Sequence, residues 1–297
     1  MDILVILWSS ASQGVLWTFL AIGVFLTYRI LDIADLTTEG SFPLGAAVAA
    51  VAILHQLPPL VATLLGFGAG MLAGLISGLL YTKLKIPALL AGIITMTGLY
   101  SINARIMGSA NLALLGEASV FDLGQQLGLS KTSSVFVTGC LILALIILLL
   151  VLFLKTELGL ALRATGDNPD MSAANGVSVD NARIIGYMLS NGCIALSGAL
   201  LAQNNGFADL NSGVGTIVIG LAAIIIAEVL FAHKTLPLRF GTLLVGTILY
   251  RFILACVLEL GVAPTDLKLF SALILIICLS LPLTKSKLKA LGKGARA

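Results

Sequence analysis

Eight long, nearly uncharged runs divide this sequence, at about residues 4–28, 58–82, 86–107, 133–154, 183–204, 214–232, 238–258 and 266–283. At about 1.5 Å per residue, each can cross roughly 30 Å of hydrocarbon as a helix. Lipid offers the backbone no hydrogen bonds, so such runs become helices that satisfy their own amides. The pattern predicts an all-α, polytopic transmembrane helical bundle forming a single domain over residues 1–297. A further run, FPLGAAVAAVAILH at 42–55, holds only about 14 residues. It reads as a half-helix, or as part of a broken one whose polar preface also lies within the membrane. The expected total is about nine spans, within a range of eight to ten. Composition agrees: 59% of residues are hydrophobic and 10% charged, against about 25% charged in soluble domains, too few to cover a soluble core.

Lys and Arg set the orientation, because they collect on the cytoplasmic side. Arg29, Lys83 with Lys85, Lys155 with Arg163 and Arg183, Lys234 with Arg239, and a basic tail over 285–297 fall on one side. Arg105, Lys131 and Lys268 fall on the other, and Arg251 lies within a span. This places the N-terminus outside and the long segment from Gly108 to Thr132 outside as well. MDILVILWSS has no basic residue before its apolar stretch, so a cleaved leader is not expected.

Chemistry-bearing residues are sparse. Cys140, Cys193, Cys256 and Cys278 lie singly in apolar runs and read as packing residues. The two histidines, His55 and His233, are far apart, and neither a catalytic triad nor a metal motif is present. No nucleic-acid-binding role and no enzymatic activity are expected. Gly66, Gly70, Gly74 and Gly78 form a ladder along one stripe of the 58–82 span, where another backbone can approach closely, either within one subunit or between two.

One polar island, ATGDNPDMSAANGVSVD over 164–180, interrupts the apolar sequence on the expected cytoplasmic side. Asn168 followed by Pro169 is a helix-start signal, a capping amide before a residue pre-set for the first turn. Gly176 supplies the stop. Asp167 and Asp170 sit at the positive end of the helix dipole. The result is a helix of about two turns, over about 168–176, with small residues Ser172, Ala173 and Ala174, one projecting Met171, and Asn175 before the stop.

The string LGLALRATGDNPDMSAANGVSVDNARIIGYMLSNGCIALSGAL resembles a segment of the permease subunits of bacterial ABC importers of the branched-chain amino acid and ribose type. It carries Arg163, Gly166, Asn168, Ala173 with Ala174, Gly176-Val177-Ser178-Val179 and Arg183 in the family's order. ADLTTEGSFPLGAAVAA and LISGLLYTKLKIPALLAGIITMTGLY are similar to two further family motifs, so the resemblance covers most of the chain. Ser77, where Asn is common, and Glu228, where many members carry paired glycines, mark a divergent branch.

The resemblance implies a multi-pass subunit of the bacterial inner membrane, homodimeric or pseudo-dimeric, with a solute-binding protein at its outer face. Its short helix, Asn168, Pro169, Asp170, Met171, Ala173, Ala174, Asn175 and Gly176, would couple to a groove in a cytoplasmic ABC ATPase dimer. No G-x-x-x-x-G-K-[ST] loop occurs here, so this chain is expected to hold no cofactor, with ATP and Mg bound by the ATPase. The expected cargo is a small polar solute, an amino acid first.

Ionisable groups at bilayer depth are costly and mark candidate pathways. Asp35, Thr37, Thr38, Glu39 and Ser41, with Asp32 and a glycine, Gly40, that permits unwinding, form either a central site or a wet turn at the inner end of the first span. Thr95, Thr97 and Asn191 are candidate pathway lining or polar glue between helices, and Ser190, Gln203, Asn204 and Asn205 read as such glue. Arg251 is expected to meet a solute carboxylate, or to pair with Glu259 or Asp266, and Glu228 to meet inner-side cations such as Lys234. The alternative function, an ion-coupled secondary transporter, would call for an inverted repeat, and no convincing internal repeat is visible.

Overall fold

The computed structural model describes residues 3–126, 128–231, 235–263, 266–277 and 280. Lys234, His233, Cys278 and the basic tail over 285–297 lie outside the described residues. Eleven helices and one short β-pair follow in order. They are α1 (Ile3–Phe25), prolonged by a π-helical turn (Leu26–Ile30), α2 (Thr38–Leu54), α3 (Pro59–Thr82) and α4 (Ala88–Met107), then β1 (Asn111–Ala113), α5 (Asp122–Gln126) and α6 (Lys131–Lys155). After these come α7 (Glu157–Asp167), α8 (Pro169–Ala174), α9 (Val179–Asn205), β2 (Phe207–Asp209), α10 (Thr216–Leu230) and α11 (Leu236–Glu259). A further apolar helix covers Leu267–Ile277.

Among the described residues six helices are long and apolar enough to cross a bilayer, and α2, α10 and Leu267–Ile277 fall short. The run expected at 214–232 is therefore a half-length helix: Gly215, in the left-handed region at φ 86°, starts it, and Phe231, at φ -125° and ψ 66°, leaves the helical region and ends it. The polar preface of α2 differs from expectation too. Thr38 to Ser41 are helical, with Gly40 inside the first turn, and the unwound backbone is Leu31 to Thr37. Within it Asp32 sits at φ 54°.

Of the six long apolar helices α9 is the most buried, and α1, α2 and α3 all pack against it. The glycine ladder faces it: a Cβ on Gly70 would meet the Asn191 carbonyl, one on Gly74 the Tyr187 carbonyl, and one on Gly78 would lie 3.1 Å from the Ile184 Cα. The ladder thus serves packing within the chain. Outward-facing α6 is apolar on its open side, with Leu141, Leu145, Leu148 and Leu152 exposed, as a lipid-facing helix requires.

Helix packing repeats with inverted direction, contrary to the expectation of no repeat. Antiparallel contacts join α3 to α9 and α1 to α11, as Gly14 against Ile248 and the 2.7 Å bond between the Thr18 and Thr247 hydroxyls show for the second pair. Half-helix α2 lies along α9, and half-helix α10 along α1. Exchanging α1, α2 and α3 with α9, α10 and α11 maps each packing onto another. Ala34-Asp35-Leu36 precedes α2 and Ala208-Asp209-Leu210 precedes α10, a three-residue trace too brief to stand out as a repeat in the sequence. Inverted halves with half-length helices at their junction are a recurrent transporter architecture.

Candidate functional site

At the basic end of the bundle, α7 and α8 form an exposed elbow. Thr156 caps α7, accepting from the Gly159 amide at 3.3 Å. Asn168 ends α7 and caps α8, its Oδ1 accepting from the Met171 amide at 2.9 Å. The stop is a complete Schellman motif, with Val177 N donating to Ser172 O at 3.0 Å, Gly176 N to Ala173 O at 3.0 Å, and Gly176 at φ 81°. Met171 is 65% exposed, and Ala173, Ala174 and Asn175 are exposed beside it. The elbow is anchored by α7, whose Leu162 is buried and whose Gly166 rests on the Ile30 carbonyl, where α1 gives way to the unwound segment. Sequence reading found α8 but not α7: Glu157–Asp167 is 11 residues of mixed polarity and lacks a spanning signal.

Deeper in the bundle, a buried polar cluster fixes the start of α2. Thr37 N donates to Asp35 Oδ1 at 2.9 Å, and Asn191 Nδ2 donates to Asp35 Oδ2 at 2.7 Å and to the Tyr187 carbonyl at 3.1 Å. Ser41 donates to Asn191 Oδ1 at 2.7 Å, Thr38 to the Asp35 carbonyl at 3.0 Å, and the Thr37 and Ser77 hydroxyls share a bond of 2.6 Å. Asp35, Thr37, Thr38, Ser41 and Asn191 are all buried, and none lines the cavities described below. The set holds the half-helix onto α3 and α9.

Glu39 and Thr97 lie elsewhere. They line a cavity of about 310 Å³ between the start of α2, α4 and the turn before α10, together with Tyr100, Asn103 and Asn211. Glu39 Oε1 accepts from the Gly215 amide at 3.0 Å, so the first turn of one half-helix is tied to the start of the other. Asn103 is buried and donates to the Gly40 carbonyl at 3.2 Å, while its Oδ1 has no partner among the described residues. Thr97 and Ser101 are exposed near the middle of α4, where lipid would be a poor neighbour. Thr95 is buried and bonds only to its own helix, at the Ala91 carbonyl.

Arg251 pairs with neither Glu259 nor Asp266. It donates to Gln13 Oε1 and lies 5.6 Å from the centroid of the Trp17 ring. Glu228 finds Arg29, which donates through Nε at 2.6 Å and Nη2 at 2.7 Å, a bidentate pair across the basic ends of α1 and α10. Nothing in the spacing of residues 199 apart announces that pair. Lys83 and Lys85 approach Asp180 at 3.4 and 3.9 Å. Among the described residues no group of His, Cys, Asp and Glu could hold a metal ion.

Comparison with known proteins decides the family. Residues 6–280 match the model of the branched-chain amino acid transport system permease component. The chain belongs to this permease family. The permease is 41% identical over 268 residues to the tyrosine transport system permease protein of Clostridioides difficile, covering 90% of this chain and 88% of that protein. It is 36% identical to the uncharacterized protein RP368 of Rickettsia prowazekii, covering 93% and 97%. It is also 30% identical to the autoinducer 2 import system permease protein LsrC of Yersinia enterocolitica, covering 84% and 65%. No solved structure matches. The permease is accordingly a multi-pass subunit of a transport system in the bacterial inner membrane and not an enzyme, and such subunits work with an ATPase and a solute-binding protein.

Proposed function

We propose that this permease is the membrane-spanning half of an ATP-driven amino-acid importer, completed by a second copy of itself. The capped elbow carries the proposal. Met171, Ala173 and Ala174 stand proud of the basic end, which the positive-inside rule assigns to the cytoplasm. Seating through Gly166 on Ile30 connects that elbow to the joint between α1 and the half-helices. A partner ATPase that binds ATP and Mg would close, press on α8 and tilt α7, and so bias which side the transport path faces. The polar surface formed by Glu39, Thr97, Tyr100 and Ser101 supports a path along the face of α4, closed by the second copy, while Asp35, Thr37, Thr38, Ser41 and Asn191 position its backbone. An amino-acid cargo is supported by the tyrosine transport relative.

Replacing Met171 and Ala174 together by aspartate tests the docking role. The expected result is a permease that inserts and purifies normally but no longer brings its ATPase with it; an unchanged yield of the complex would refute the assignment. The inverted repeat is equally compatible with ion-coupled transport. The two readings separate on the energy source: the importer takes up solute only with the ATPase and ATP and tolerates ionophores, whereas an ion-coupled carrier needs neither partner and fails when the gradient collapses.

A further inference from the structure

A second cavity, of about 440 Å³, opens at the end of the bundle away from the elbow, within the roughly 300–1,000 Å³ range of small-molecule sites. Gln13, Trp17, Phe42, Asn205, Asp209 and Arg251 line it, drawn from α1, α2, α9, β2 and α11. Its charges do not neutralise one another. The Arg251 guanidinium carries five donors, of which Gln13 takes one, and no carboxylate of the described residues lies within 4.0 Å. Asp209 Oδ1 accepts from the Asn211 amide at 2.9 Å, and Oδ2 has no hydrogen-bond partner among the described residues. A cation held at membrane depth beside an aromatic ring, with no anion to answer it, favours an anionic group supplied by a ligand. The apolar wall is an aromatic pair: Trp17 and Phe42 stack on one another with centroids 5.4 Å apart at 16°.

We propose that this cavity holds the solute on the outer side of the permease and reads an α-amino acid with an aromatic side chain. The carboxylate meets Arg251, the ammonium meets Asp209, and the ring packs against the Trp17–Phe42 pair. A purely anionic solute would be repelled by Asp209, and a sugar or nucleoside would leave both charges unanswered, which costs more than an empty, hydrated cavity. The position suits a holding site. One layer of chain, the first turn of α2 and the turn from Asp209 to Gly215, separates this cavity from the one lined by Glu39 and Thr97, and the bond from Gly215 to Glu39 spans that layer. This inference rests on the amino-acid reading above.

The test uses the full-length permease assembled with its ATPase in lipid nanodiscs and measures binding of L-tyrosine, of tyramine, which lacks the carboxylate, and of 3-(4-hydroxyphenyl)propionate, which lacks the amine. The wild type is expected to bind tyrosine roughly tenfold to a hundredfold better than either analogue, the scale of one lost charge-assisted hydrogen bond. In Arg251→Gln the preference over tyramine disappears and that over the propionate stays; in Asp209→Asn the reverse holds. Should Arg251→Gln fail to assemble, the Asp209→Asn arm alone decides. Saturable tyrosine binding whose analogue preferences both variants retain overturns this site and leaves the amino-acid importer standing. No saturable binding of L-tyrosine, L-phenylalanine or L-tryptophan to the wild type overturns the site, and ATP-driven uptake of a different solute class would remove the amino-acid reading with it.

Discussion

Asp35 shows how far a residue's neighbours decide its meaning. An acidic group in a span is a pathway candidate on cost alone, yet its two oxygens are occupied by the Thr37 amide and the Asn191 side chain. Asp35→Leu would orphan both donors in a buried site, at about 1–3 kcal/mol for each unsatisfied group. Asp35→Asn keeps an acceptor and should cost clearly less. Thermal unfolding of the purified permease followed by loss of monodisperse protein checks this order; equal losses for both variants would mean the hydrogen bonds are not what Asp35 contributes. Glu228 makes the contrasting case. Its ion pair with Arg29 is bidentate but half exposed, so screening limits it to about 0–1 kcal/mol. Glu228→Gln should therefore leave the unfolding midpoint nearly unchanged, and a large loss would show that the pair is shielded from water. Both residues were legible as important in the sequence, but their partners were not, because Asn191 and Arg29 come from elements distant in the chain.

At the scale of elements, turn chemistry was the most readable. Asn168-Pro169 and Gly176 fix α8 by local bonding alone, and the structure has the helix within one or two residues of that expectation. Half-helix α2 is recognisable by its length, though its first turn begins at Thr38 rather than Phe42, because the buried Thr38 and Ser41 hydroxyls are satisfied by the Asp35 carbonyl and by Asn191 of α9 and need no water. Half-helix α10 was read as a full span, since the apolar run conceals a start set by Gly215 and by its bond to Glu39. The ladder on α3 gives a sharp test. A Cβ on Gly74 would strike the Tyr187 carbonyl, whereas one on Gly68, on the same helix, meets nothing within 4 Å. Gly74→Leu should abolish the folded yield, and Gly68→Leu should leave it intact, as judged by fluorescence-detected size-exclusion of the tagged permease. A tolerated Gly74→Leu would mean that α3 and α9 are not held this close. On α8 itself, Gly176→Ala forces a side chain into the left-handed region at about 1 kcal/mol. It should weaken ATPase association while sparing the permease fold, measured as the co-purified fraction.

For the molecule as a whole, charge distribution and apolar runs were enough to give the class, a polytopic helical bundle with a basic inner face. They could not give the inverted symmetry, because that relation lives in which helix packs on which, with only Ala-Asp-Leu shared in sequence before the two half-helices. Symmetry of this kind fits alternating access under any energy source, so the coupling role proposed for the elbow is what would distinguish a nucleotide-driven machine. Its α7 arm touches the end of α1, and α1 in turn carries α10 and α11. The most direct test places a photo-crosslinking amino acid at position 171 in cells that express the cognate ATPase, with position 145 on the lipid-facing side of α6 as control. The account predicts a covalent adduct between permease and ATPase from position 171 and none from position 145. Correctly inserted permease that gives no ATPase adduct from position 171, with the ATPase present in the same membranes, would contradict it.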